Sequence, residues 1–124
     1  VNRTPGELPG ILDAVRWLTR LSDLLEDVTK PGGELERLEE ERIRAQQRYE
    51  VHYARVFLTA TGSVDARKHT AVLECADDKF ALEMATAKRD ACRERIRTLR
   101  SQIDVGRSLQ TTIRSELDAL GRKP

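Results

Sequence analysis

The chain reads as an all-α protein: a long helical hairpin with a C-terminal heptad overhang, preceded by an amphipathic helix. Three observations predict this. Charged residues are 35% of the chain and aromatics only 4%, a balance that suits solvent-exposed helices with narrow apolar seams better than an α/β core. Apolar residues recur at three-and-four spacing, the period of one helix face. Helix breakers cluster at Pro31-Gly32-Gly33 and at Gly62, which leaves three helices over about 9–29, 34–61 and 64–120. With 124 residues, one elongated helical domain is expected, divided into an N-terminal helix and linker (1–33) and a hairpin or coiled coil (34–124).

In the first helix Ile11, Ala14, Val15, Leu18, Leu21, Leu25 and Val28 form a single stripe. Trp17 and Leu24 widen it, so this helix is expected to meet two neighbours, and these two residues are a candidate partner face. Pro31 cannot continue a helix and also biases Lys30 away from helical angles, while the glycines allow a turn.

The second helix carries Leu35, Leu38, Ala45, Tyr49, Tyr53, Val56, Phe57 and Ala60 and contains no Gly or Pro up to Thr61. Gly62 suits a left-handed stop, and Ser63 can cap the next helix beside Asp65. From Val64 only Gly106 is a poor helix former before about Leu120, so a single helix is expected, with a break near Ala76-Asp77-Asp78 as the alternative. Pairing symmetrical about Gly62 would set Phe57 opposite the region of His69, Tyr53 opposite Val72 and Leu35 opposite Ala91. Tyr49, Tyr53 and Phe57 read as core rather than as a binding hot spot.

Beyond Cys92 the third helix outruns the second and needs another surface. Cys92, Ile96, Leu99, Ile103, Gly106, Gln110, Ile113, Leu117 and Leu120 alternate steps of four and three, a heptad seam. It is read as a self-association seam with a dimer favoured; the alternative is that the first helix packs antiparallel over about 97–117. Gln110 would favour the one register in which its amide finds a partner, and Gly106 admits a neighbouring backbone, unless it marks a kink.

Charge is unequal along the chain. Residues 1–91 carry 14 basic and 17 acidic side chains, residues 92–124 carry 8 and 4. Arg93, Arg97, Arg100, Arg107 and Arg114 line one side of the seam and suit three partners: carboxylates such as Asp13, Asp23, Glu26 and Asp27, nucleic-acid phosphates, or an acidic protein. No aromatic is interleaved with them, so base stacking has no platform.

No catalytic, cofactor or metal site is expected. His52 and His69 could approach across the hairpin, and Glu74 with Asp78 form an i, i+4 pair, but no third ligand is suggested. Phosphate loops, nucleophile elbows and HExxH patterns are missing, and Cys75 and Cys92 lack paired spacing, consistent with small packing residues in a reducing cytoplasm. No apolar run approaches about 18 residues, and the start lacks a secretory pattern, so no membrane partner is expected.

Tyr53-Ala54-Arg55-Val56-Phe57-Leu58, Gly62-Ser63-Val64 with Arg67-Lys68, and Asp104-Val105-Gly106-Arg107-Ser108-Leu109 with Arg114-Ser115-Glu116 resemble small helical coiled-coil proteins of phages and prophages. The likeness covers roughly 49–117. It implies products of early regions near replication or recombination genes and a bacterial host cytoplasm, and it carries over no catalytic residues. The expected role is a non-catalytic adaptor with a protein partner, linked to DNA transactions. The alternatives are a morphogenesis chaperone or scaffold working through the first helix, and a nonspecific DNA binder using the arginine row.

Overall fold

The computed structural model describes residues 10–121. Four helical segments lie among them: α1 (Ile11–Thr29), α2 (Glu34–Thr59), α3 (Val64–Glu74) and α4 (Ala76–Gly121). The fold is all-α, and no strand occurs among the described residues. The expected start of the first helix at Pro9 lies outside the described residues. The second helix stops at Thr59, short of the expected Thr61, because Ala60 takes extended backbone at φ −70° and ψ 154°.

The expected single third helix is broken at Cys75, beside the Ala76-Asp77-Asp78 stretch. Its backbone stands at φ −97° and ψ 11°. Hydrogen bonds persist on both sides, from the Cys75 N–H to the Ala71 carbonyl (2.9 Å) and from the Lys79 N–H to the Cys75 carbonyl (3.0 Å). Asp77 and Asp78 then occupy the first turn of α4, where negative charge is favoured by the exposed N–H groups of a helix start.

Both turns are built by the residues that signal them. Gly32 has φ +76°, and its N–H donates to the Glu36 carboxylate at 3.0 Å, which ties the turn to the start of α2. Gly62 has φ +105°, a left-handed conformation that side chains disfavour. Ser63 caps α3 by accepting from the Ala66 N–H at 3.2 Å.

The chain divides into two compact units. One unit joins residues up to Val28 with those from Arg95 onward; the other is Thr29–Glu94. The overhang cannot find a surface on α2, which has run out, so its buried residues belong with α1.

In the first unit Ala14 and Leu21 of α1 and Ile96 and Ile103 of α4 are buried. Gly106 sets the approach of the two helices. A Cβ placed on it would lie 2.5 Å from Leu18 Cδ2 and 2.8 Å from Trp17 Cζ3, so only a residue without a side chain fits there.

In the second unit Leu38, Ala45, Val56, Ala71, Cys75 and Cys92 are buried. Tyr49, Tyr53 and Phe57 pack against Val56, Ala71 and Cys75, which makes the aromatic cluster part of the core. Near the turn the pairing is close to the symmetrical expectation: Arg67 Nε donates to the Phe57 carbonyl at 3.0 Å. Further along it slips by about one helical turn. His52 meets Asp78 rather than Glu74, and Glu39 lies between Arg89 and Arg93 rather than opposite Ala87. The interruption at Cys75 lies between these two regions and accounts for the shift.

Candidate partner interface

The heptad positions show how far the seam is used within the chain. Cys92, Ile96, Ile103 and Gly106 are buried; Leu99, Gln110 and Ile113 are half-buried. Leu117 and Leu120 are 51% and 62% exposed. Of the two surfaces proposed for the overhang, α1 is the one seated at Gly106. Gly106 is therefore a close-approach site inside a continuous helix and not a kink. The Gln110 amide makes no hydrogen bond with another described residue, so Gly106 rather than Gln110 selects the register.

The arginines divide into two groups. Arg93 belongs to the hairpin: its guanidinium lies 2.5 Å from the Glu39 carboxylate, which also has Arg89 at 3.8 Å. Arg97 is exposed and has an interaction of its own. Arg100, Arg107 and Arg114 are exposed and form no ion pair with a described residue. The expected bridges from these three to Asp23 or Glu26 are not formed among the described residues. Spaced by heptads, the three project as one row beside the seam.

On α1, Trp17 is 40% and Leu24 46% exposed. Trp17 sets Cζ3 of its ring against Gly106 and leaves part of its surface open to solvent.

The residues weighed for chemistry take other parts. His52 Nδ1 lies 2.6 Å from Asp78 Oδ2, with the two side chains 43% and 32% exposed. His69 is exposed. Cys75 and Cys92 are free and buried. Burial pushes the Cys75 thiol above its ordinary range, and the charges of Asp78 and Glu74 push the same way. That is the opposite of the lowered value a reactive thiolate needs. Among the described residues no three His, Cys, Asp or Glu side chains group as a metal site, and no described helix is long and apolar enough to cross a membrane.

One feature of the hairpin surface escapes sequence reasoning. Phe80 and Met84 are 65% and 44% exposed and line a groove with residues of α2, among them Arg44, Ala45 and Arg48. Their i, i+4 spacing is visible in sequence, but it reads equally well as core.

Comparison with protein-family models, with curated proteins and with solved structures gives no match to this chain.

Proposed function

We propose that this chain is a non-catalytic coiled-coil adaptor that works through protein–protein contacts, of a phage type and linked to DNA transactions. The observation that carries the reading is the row of Arg100, Arg107 and Arg114, which is exposed and lacks ion pairs with described residues. The seam beside it is already occupied by α1 at Gly106. The arginines are therefore not needed to hold the fold, and an acidic protein surface is the partner their planar, multidentate donors suit. Exposed ion pairs contribute only about 0–1 kcal/mol each, so the row orients a partner more than it holds one.

The test replaces Arg100, Arg107 and Arg114 together by Glu and compares co-purified partners from phage-bearing bacterial cells, with helicity checked by circular dichroism. Loss of replication or recombination proteins at unchanged helicity supports the adaptor. An unaltered partner set removes the row from the function.

The exposure of Trp17 and Leu24 favours a second reading, a morphogenesis chaperone or scaffold that uses α1, and recovery of capsid or tail subunits would select it. Direct DNA binding by the arginine row predicts affinity for duplex DNA that falls steeply with salt. Absence of binding at low salt excludes it.

A further inference from the structure

We infer that the groove between α2 and the first part of α4 is a docking site for an acidic amphipathic helix of a partner protein. Its floor holds Ala45, Phe80 and Met84, and its rim holds Arg44, Arg48 and Lys88 with one carboxylate, Glu41. Phe80 at 65% and Met84 at 44% exposure leave apolar surface open to water, which a soluble fold ordinarily covers or uses.

Charge chooses the occupant. Glu41 is already paired with Arg37 at 3.0 Å, and Arg44 is held by Glu40 at 3.1 Å. Arg48 and Lys88 form no ion pair with a described residue, so the rim presents uncompensated positive charge. An adjoining groove shares Arg48 and is lined by Val51, Arg55, His52 and Asp78; its one carboxylate, Asp78, is already held by His52 at 2.6 Å, while Arg55 is unpaired among the described residues. From Glu41 to Arg55 this stripe runs about 20 Å at 1.5 Å per residue, room for about four turns of a partner helix. An apolar stripe flanked by carboxylates would bury Phe80 and Met84 while meeting Arg48, Arg55 and Lys88. Another groove of the hairpin is lined by Lys79, Glu83 and Asp90; Asp90 is paired with Arg89 at 3.0 Å, so Glu83 and Lys79 nearly balance and give an acidic helix no comparable attraction.

This surface belongs to different residues from the arginine row, so the two proposals fail separately. The probe is a fluorescent synthetic helix of about 15 residues with Leu at i, i+4, i+7 and i+11 and Glu on both flanks; its control has Lys in place of Glu. Anisotropy titrations use the full chain, Phe80→Ser, the double variant Arg48→Glu with Lys88→Glu, and the triple Arg100/Arg107/Arg114→Glu variant. The expected result is saturable binding of the acidic helix, weakened at least about tenfold by either groove variant and unchanged by the triple variant, with the Lys helix not bound. The double variant alters only exposed side chains, so it remains informative if Phe80→Ser misfolds. Equal binding of the two helices, no binding of either, or wild-type binding by the double variant overturns the proposal. A concentration-dependent dimer that Phe80→Ser abolishes, seen by light scattering, overturns it in favour of a second copy as the occupant.

Discussion

Gly106 shows how one residue can set the distance between two helices. In a helix interior Ala is favoured over Gly by about 1 kcal/mol, so replacement by Ala ought to stabilise an exposed position. Here the added methyl would meet Leu18 and Trp17 at 2.5 and 2.8 Å, and overpacking of this kind costs about 1–3 kcal/mol. Gly106→Ala is therefore expected to lower stability by about 1 kcal/mol in urea unfolding, the overpacking outweighing the propensity. Gly106→Leu is expected to displace α1. Because Trp17 is the one tryptophan, its emission should shift to the red, and unchanged emission would show that α1 seats itself some other way. Arg67 stabilises the turn end of the hairpin twice, donating to the Phe57 carbonyl and placing its guanidinium 4.4 Å from the Phe57 ring centre. Arg67→Ala is expected to cost about 1–2 kcal/mol, measured by thermal or urea unfolding. At Cys75 the folded thiol holds its proton more tightly than the unfolded one. Its contribution to stability is thus fully present below the unfolded thiol value, about 8.5, and is lost as pH rises beyond it. Urea midpoints of the wild type should fall more than those of Cys75→Ala above that pH; parallel curves would contradict the linkage.

At the scale of elements, turns were the most legible features because their chemistry is local. Gly62 takes the left-handed backbone and Ser63 the cap that their residue types suggest. Ser63→Ala should lower stability by about 1 kcal/mol, and a loss of a few tenths would mean that Asp65 and solvent replace the cap. The break at Cys75 was only half legible. Neither Pro nor Gly occurs there, and the stretch reads as adequate helix; Asp77 and Asp78 were the one local hint, as carboxylates suited to a new first turn. The register beyond it could not be read, because pairing across a hairpin depends on how the two helices cross as well as on where the turn lies. His52 with Asp78 and Glu39 with Arg93 record the outcome.

At the scale of the whole molecule, the chain divides into two compact units. Each has its own buried residues, so each should open as its own cooperative region. In hydrogen exchange, Gly106→Leu is expected to deprotect α1 and the part of α4 from Arg95 while leaving α2 and α3 near wild-type protection. Loss of protection throughout would mean that the units are coupled as one. The all-α class, the positions of the turns, the seam from Cys92 and the row of arginines were set by the sequence alone, because periodicity, helix breakers and caps act over a few residues. The tertiary structure decided that α1 lies against the seam at Gly106, which arginines are consumed by the hairpin and which remain outward, and that Phe80 and Met84 lie in an open groove. These depend on residues far apart in the chain meeting at a given distance. A stripe of Leu and Ile suits a helix of the same chain and a helix of another copy equally well; at Gly106 it is Leu18 and Trp17 of α1 that lie against it, because a glycine there leaves room for their side chains.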